Sequence, residues 1–279
     1  MKRILLTVLT LCVVLFMNAQ EKKSFEGEMT YRNFENHNNL VRKFSKGMAY
    51  NGARDMKIII KGYNIHIIDE TMHMHTLLLP NENKAIIYND LLKRGQQFPF
   101  SEYVDSYLSA FSPNTRQVST VTIPAPEYTI VDTGQKKEYK GEECRIFKGQ
   151  VIANKGGTTT DVELWVSDKY SIFKCYWYFL NGIQVPGVVM KWTYDLKGKV
   201  PMMGKMSSYV ASEAKDVIER EVSADEMQVP KGYKIVVSKS PFKVLGLYGD
   251  TKKYLKKNKM YPGDEDTEVT YQIDDEWDF

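Results

Sequence analysis

Three histidines that fall close together in the chain are the residues best suited to chemistry. His73 and His75 share one face of a predicted strand, since side chains alternate along a strand, and His66 lies on the strand before it. If the hairpin between them turns on two residues, His66 falls opposite His73, and three imidazoles lie within reach of one metal ion. If the turn has an odd number of residues, His66 faces Met74 instead and the group is broken. Imidazole and the neighbouring thioethers would suit copper or zinc, so only one of the two registers predicts a metal site.

Sequence motifs of known catalytic sites are missing from the chain. There is no nucleophile elbow, His-Glu-x-x-His, phosphate-binding loop, Gly-x-Gly-x-x-Gly or Cys-x-x-Cys. Acid pairs such as Glu142 and Glu143 are neighbours on a predicted strand, so they point to opposite faces and cannot flank a substrate as a glycosidase pair does. We therefore expect a non-enzymatic protein without a cofactor.

Residues 1–19 are typical of a secretory signal peptide. A basic start, an apolar core over residues 4–16 and a small residue, Ala19, follow in that order. The apolar core is too short to span a bilayer as a stable helix, which disfavours an N-terminal anchor. A lipoprotein signal would place a small residue before Cys12, where Leu11 stands, so Cys12 is read as ordinary leader. We predict export to the periplasm, or secretion, after cleavage near Ala19.

The charge of the chain argues against a nucleic-acid partner. The net charge is +3 for the full sequence and falls to +1 without the leader, whose two basic residues are accompanied by no acid. Nucleic-acid binding requires a strongly basic surface. After the leader no stretch approaches about eighteen apolar residues, so the mature chain is predicted to lack a transmembrane segment. The 18 Tyr and 12 Phe residues favour twisted sheets over disorder.

Short alternating stretches predict a mainly β fold. Each has the length of a strand, and turn residues divide it from the next. The first group is Phe25–Arg32, Met56–Lys61, Tyr63–Ile68, Met72–Leu79 and Lys84–Tyr88. The second group runs over residues 139–195, and a last long strand is predicted within residues 206–222. We expect one antiparallel β domain over residues 20–238.

One amphipathic helix is predicted between the two groups of strands. Apolar residues recur there at helical spacing, at Tyr103, Val104, Tyr107, Leu108 and Phe111. Because a helix of about a dozen residues is not stable alone in water, its aromatic stripe must lie on a sheet. The helix then serves either as plain core packing or as a lid over a concave sheet.

The second group of strands carries aromatic residues on both predicted faces. A sheet of this kind needs cover on both sides, or an apolar ligand. The residues predicted to line a ligand groove are Trp165, Trp177 and Trp192 of the strands and Tyr103, Tyr107 and Phe111 of the helix. The alternative is that the helix and the loops cover these residues, which then belong to the hydrophobic core and bind no ligand.

Two cysteines, Cys144 and Cys175, remain after the leader. Export to an oxidising compartment and their even number favour a disulfide. If the strands that contain and separate them form a simple meander, however, Cys144 and Cys175 lie on strands that flank a middle one. Two strand spacings then separate them by about 9.5 Å, beyond the ~7 Å Cα limit of a disulfide. The bond and the meander exclude each other, and both possibilities stay open.

Residues 239–279 are predicted to form a charged C-terminal extension. Residues 252–259 contain five lysines in eight positions, and residues 264–278 contain eight acids and no base. Like-charged blocks of this size are usually solvated, although the two blocks can also neutralise each other. Trp277 and Phe279 are unusual neighbours for such acids and are candidates to dock in a groove.

The order of several short motifs resembles that of uncharacterised exported Gram-negative proteins with the LolA/LolB lipoprotein-carrier fold. The motifs are Phe25–Tyr31, Lys61–Ile65, Tyr139–Cys144, Glu163–Ser167 and Val229–Tyr233. The resemblance implies an unclosed antiparallel half-barrel with few helices, one of them short and lying over the concave face, where acyl chains bind. It covers roughly residues 25–233 and carries over no residue-level acyl-binding motif.

Three functions compete on this basis. The leading hypothesis is an exported protein that binds an apolar ligand, such as a lipid or an acyl chain, in the groove of a half-barrel. The alternative is an envelope interaction module without a ligand, whose charged C-terminus contacts a protein partner. The third is copper or zinc binding through the histidine and methionine hairpin.

Overall fold

The computed structural model describes residues 24–45, 51–108, 114–118, 120–125, 127–152, 159–170, 183, 185–200, 204–240 and 243–261. The strands in chain order are β1 (Gly27–His37), β2 (Gly52–Lys61), β3 (Asn64–Asp69), β4 (Met74–Leu79), β5 (Lys84–Asn89), β6 (Arg94–Pro99), β7 (Asn114–Val118), β8 (Val121–Ala125), β9 (Glu127–Tyr128), β10 (Val131–Tyr139), β11 (Glu142–Ile152), β12 (Thr159–Ser167), β13 (Val188–Val200), β14 (Gly204–Glu219) and β15 (Lys234–Val237). The helices are α1 (Asn39–Ser45), α2 (Phe100–Leu108) and α3 (Val244–Lys257), with 3-10 turns at Pro80–Glu82 and Asp225–Met227.

Thirteen of the strands form one unclosed sheet. Its order is β10-β11-β12-β13-β14-β1-β2-β3-β4-β5-β6-β15, with β9 paired to the end of β11. Neighbouring strands are antiparallel except for β15, which runs parallel to β6. The strands β7 and β8 form a separate hairpin. The prediction of a mainly β fold with an unclosed antiparallel half-barrel sheet and few helices is therefore confirmed.

The two faces of the sheet are buried by different parts of the chain. Ile58 and Ile60 of β2 face the large core, which also holds Phe100, Tyr103 and Val104 of α2 and Val244, Leu247 and Leu255 of α3. Ile59, between them, faces the other side, where Leu77, Tyr88, Val222 and Met227 pack together. The isoleucine run is continuous because both of its faces are covered. We call the first side the helix-covered face and the second the opposite face.

The second group of strands is connected differently from the predicted meander. β12 is paired by β11 on one side and by β13 on the other over its whole length. The third strand of the meander is therefore Val188–Val200, whereas the prediction placed the strand that contains Cys175 there. Cys175 and Trp177 lie outside the described residues, so whether Cys144 is bonded to Cys175 stays open. Cys144 is buried, and burial raises the pKa of its thiol to about 11.

The lysine-rich stretch is helical where the sequence suggested only a solvated block. In α3, Val244, Leu247, Thr251 and Leu255 are buried while Lys253 and Lys257 are exposed. The spacing of the four buried residues is that of one helix face. Across the described residues, none of the helices is long and apolar enough to cross a membrane.

Candidate functional site

The structure describes the side chains of three predicted groove residues, Trp165, Trp192 and Tyr103, and they do not share one face of the sheet. Leu164 pairs with Trp192, so these two side chains share a face, and Trp165, next to Leu164, points to the opposite face. Trp192 is 6% exposed and Tyr103 is 3% exposed, both within the core of the helix-covered face. Tyr107 belongs to α2, while Trp177 and Phe111 lie outside the described residues.

Trp165 is occupied by neighbours on the opposite face. The ammonium groups of Lys137 and Lys191 lie 4.8 and 5.2 Å from the centre of its ring, and Tyr139 meets the ring edge to face. Its indole N–H donates to Glu163 at 2.7 Å. Cation–π contacts of this kind stabilise the strand surface by about 0.5–1 kcal/mol each. Trp165 is therefore part of a network of cation–π, aromatic and hydrogen-bond contacts.

An opening in the sheet between β13 and β14 forms the candidate site. The ladder between these strands begins at the pair Lys191 and Glu213, so residues 188–190 of β13 have no partner in β14. A register shift in the β12–β13 ladder between Trp165 and Val166 lies beside this point. Another shift interrupts the β1–β14 ladder at Thr30. Bulges of this type often lie next to functional sites, because they redirect side chains and end strand pairing.

Side chains satisfy backbone groups that the opening leaves without ladder partners. The hydroxyl of Tyr31 reaches across from β1 and donates to the carbonyl of Val189 at 2.5 Å. Tyr139 and Lys140, from the turn between β10 and β11, donate to the carbonyls of Ala214 and Lys215 at 3.1 and 2.7 Å. Burial raises the pKa of Tyr31 far above its ordinary value, which keeps the hydroxyl a donor. The opening is thus spanned by three hydrogen bonds, of which that of Tyr31 is buried.

A cleft of about 200 Å³ occupies this opening, and we call it the Met190 cleft. Its apolar lining is Val188 and Met190 of β13, Ala214 and Val217 of β14, and Tyr170. Polar residues at the cleft are Lys140, Glu142, Ser167, Lys169, Lys215 and Asp216. Three lysines against two acids give this rim a small positive excess, and Lys169 pairs with Glu142 at 2.6 Å. An apolar body with an anionic end fits such a cleft.

The histidines of the predicted metal site are placed in a different arrangement. The turn from β3 to β4 contains four residues, and His73 lies in it with a φ of 51°. His66 and His75 share the opposite face, and their Nε2 and Nδ1 atoms are 3.0 Å apart. Among the described residues, no group of three or more His, Cys, Asp or Glu side chains is placed to hold a metal ion. The structure therefore does not assemble the triad of His66, His73 and His75.

Instead, His66 and His75 belong to a hydrogen-bonded chain. His66 Nδ1 donates to the carbonyl of Glu226 at 2.8 Å, so its Nε2 accepts from His75 Nδ1. His75 Nε2 lies 2.7 Å from Asp90, which also accepts from the hydroxyl of Tyr233 at 2.5 Å. The chain runs from the carbonyl of Glu226 through His66, His75 and Asp90 to Tyr233. It fastens residues 226–233 to the β3–β6 meander.

This chain makes stability depend on pH. Burial, followed by the proximity of His75, lowers the pKa of His66 to about 4, whereas an unfolded histidine titrates near about 6.5. Between these two pKa values the unfolded chain binds more protons than the folded chain. The contribution of His66 to the free energy of unfolding is therefore fully present above about pH 6.5 and is lost as the pH falls towards 4. We expect a loss on the order of 2–3 kcal/mol over this window, measured by urea unfolding at several pH values.

Two histidine variants check this expectation. The His66→Gln variant should show a flatter stability profile between about pH 6.5 and 4, because the group that takes up the proton on unfolding is gone. His73→Asn, in the turn and outside the chain of hydrogen bonds, should keep the wild-type slope. Equal slopes in wild type and His66→Gln would contradict the assignment.

A buried ion network lies on the helix-covered face and was missed by sequence reasoning. Arg54 contacts Asp69 at 2.8 Å and also pairs with Glu35, which lies 2.8 Å from His37. Burial alone would raise the pKa of Glu35, but Arg54 and His37 outweigh it and lower that pKa. Glu35 and His37 are 6% and 7% exposed. Glu35 and His37 are two residues apart on a strand, so the sequence indicates that they share a face. Nothing in the sequence indicates that Arg54 lies beside them.

The Met190 cleft is the arrangement best suited to take a ligand. It combines apolar walls, charged groups at the rim and an opening spanned by the hydrogen bonds of Tyr31, Tyr139 and Lys140. Comparison of the chain with models of known protein families and with curated protein sequences gives no match.

Proposed function

We propose that this is an exported, non-enzymatic binding protein that takes an apolar ligand, the acyl chain of a lipid or lipoprotein, in the Met190 cleft. The observation that carries the proposal is the opening between β13 and β14, where apolar side chains of the core line a cleft. The resemblance to LolA/LolB carriers implies the same class of ligand. The proposed site differs from the predicted one, since it is formed by Val188, Met190, Ala214 and Val217 instead of the tryptophans.

The size of the cleft limits what it can hold. Pockets for drug-sized ligands measure about 300–1,000 Å³, and the Met190 cleft measures about 200 Å³. Part of an acyl chain fits, whereas a whole diacyl lipid does not. Lys140 and Lys169 at the rim favour a carboxylate or phosphate end, because ammonium groups form strong hydrogen bonds to such anions.

Binding of a fluorescent fatty acid to the purified chain tests the proposal. We expect saturable binding to the wild type, and native mass spectrometry of protein purified from its own envelope should show a bound lipid. Val217→Phe fills the cleft from its edge and should weaken binding by roughly tenfold or more. The matched control is Val131→Phe, at an exposed position of β10, which should bind as the wild type does.

Two outcomes would refute the acyl-chain proposal. One is a wild-type chain that neither carries lipid nor binds the fatty acid. The other is binding that is equally strong in wild type and Val217→Phe, since the ligand would then lie elsewhere. Thermal unfolding of each variant establishes that a loss of binding does not come from a loss of fold.

A further inference from the structure

A second cleft, of about 350 Å³, lies between α3 and the edge of the sheet. We call it the α3 cleft. Its lining residues are Arg94, Gly95, Gln96, Lys234, Val236, Lys243, Gly246, Leu247 and Asp250. It is far from the Met190 cleft in the strand order, because β6 and β15 stand at one end of the sheet, whereas β13 and β14 lie in its other half. Its volume falls within the usual range of ligand pockets, about 300–1,000 Å³.

The cleft exists because α3 is fastened on both sides of a gap. Near its start, Gln96 donates to the carbonyl of Lys243 at 3.1 Å, and about two turns later Asp250 pairs with Arg94. Between these contacts, Gly246 of the helix presents no side chain, and a Cβ there would meet nothing within 4 Å. Space therefore remains between helix and sheet.

The walls of the α3 cleft are apolar and incompletely covered. Leu247 is buried beneath it, whereas Val236 is 51% exposed and the adjoining Val237 is 73% exposed. β15 is the last strand of the sheet, so its outer edge has no neighbouring strand among the described residues. Exposed valines on an edge strand favour association with another segment.

The rim of the cleft is basic. Lys234 and Lys243 are exposed and form no ion pair with another described residue, while Arg94 and Asp250 neutralise each other. Lys231 and Lys239, at the two ends of β15, are exposed as well. An occupant should therefore combine apolar side chains with acidic ones.

We propose that the acidic segment of this same chain, residues 264–279, binds in the α3 cleft, with Trp277 or Phe279 inserted against Val236 and Leu247. The segment contains eight acids and no base, which complements Lys234 and Lys243. Its two aromatic residues supply the apolar part. This proposal is independent of the acyl-chain function, since it concerns the other end of the sheet.

The path of the chain after α3 leads back towards the cleft. Met260 and Tyr261 donate from their backbone N–H groups to the carbonyl of Leu255, which reverses the chain. The ring of Tyr261 then lies 5.0 Å from the ammonium of Lys252, one to two turns back along the helix. From Lys257 to Gly246 the helix rises roughly 17 Å at 1.5 Å per residue. Six extended residues cover that distance at about 3.3 Å each, so the segment has ample length.

Hydrogen exchange of the full chain tests the docking. In the wild type, amides in residues 264–279 should exchange roughly tenfold more slowly than in an unstructured peptide of the same sequence. The variant Lys234→Glu with Lys243→Glu should lose this protection, as should the wild type at 1 M salt, where the Debye length is about 3 Å. The control variant Lys205→Glu with Lys136→Glu makes the same change of charge on β14 and β10. In this variant, residues 264–279 should stay protected from exchange.

Three results would overturn the docking. The segment is not bound if it exchanges at the peptide rate in the wild type. The α3 cleft is not its site if reversal of Lys234 and Lys243 leaves the protection unchanged. Light scattering reports the oligomeric state at each protein concentration. If the amides are protected only at concentrations where the chain is a dimer, the occupant is the segment of a second copy, and the intramolecular proposal fails.

Discussion

Replacing Arg54 with methionine should lower the free energy of unfolding by about 3–5 kcal/mol. The change removes the one cation between Glu35 and Asp69 and leaves both carboxylates in the core, where the side chains of Glu35 and Asp69 are 8% and 9% exposed. An uncompensated buried charge costs far more than the loss of a surface ion pair, which is worth about 0–1 kcal/mol. Urea unfolding at neutral pH measures the difference.

Two further variants separate the ion network from a simple loss of packing. Lys197→Met removes a cation that is 71% exposed and pairs with Asp195, so we expect a change below about 1 kcal/mol. Combining Arg54→Met with Glu35→Gln should recover part of the lost stability, because one of the stranded charges is then neutral. If Arg54→Met alone costs less than about 1 kcal/mol, the network does not hold β1, β2 and β3 together as described.

Replacing Leu255 with alanine should cost about 2–5 kcal/mol. Leu255 is fully buried in the core of the helix-covered face although it lies between lysines in the sequence. The truncation leaves a cavity under α3 and removes the contact that holds the C-terminal half of the helix on the sheet. The measurement is again urea unfolding, monitored by the fluorescence of the tryptophans in the sheet.

An exposed neighbour on the same helix provides the control for Leu255. Tyr254 is 38% exposed, so Tyr254→Ala changes helix propensity and little buried area, and its cost should stay near 0.5 kcal/mol or below, as is usual for surface sites. Equal effects of the two substitutions would mean that α3 does not pack as described. A small effect of Leu255→Ala would place the lysine-rich stretch outside the cooperative fold.

The fold class could be predicted because strand patterns are local. Alternating or continuous apolar runs located β1 to β5, and they required no knowledge of distant contacts. The helix α3 was missed since its lysines dominate the composition, and a polar residue, Thr251, interrupts the apolar stripe of Val244, Leu247 and Leu255. The buried hydroxyl of Thr251 bonds to the carbonyl of Leu247 at 2.8 Å, which makes a polar residue acceptable there.

The candidate sites could not be predicted because they depend on register and on distant pairs. The separation of β13 from β14 is held by Tyr31, more than one hundred residues earlier in the chain, through its bond to Val189. The position of His73 depends on a four-residue turn in which Asp69 accepts from the N–H of Met72 at 3.0 Å. Neither contact leaves a pattern in the neighbouring sequence, whereas a one-residue change in register moves every side chain to the other face.

The pairing of β1 with β14 has a consequence for how the molecule folds. Gly27 pairs with Glu219, so the two halves of the sheet can join only after about 190 further residues have been synthesised. Contacts between residues so far apart slow folding, because the entropy of closing a long loop must be overcome first. Until then β1 remains an edge strand with apolar residues exposed, which invites association between chains. Nascent or truncated chains that end before β14 should therefore aggregate or require a chaperone, while the completed chain does not.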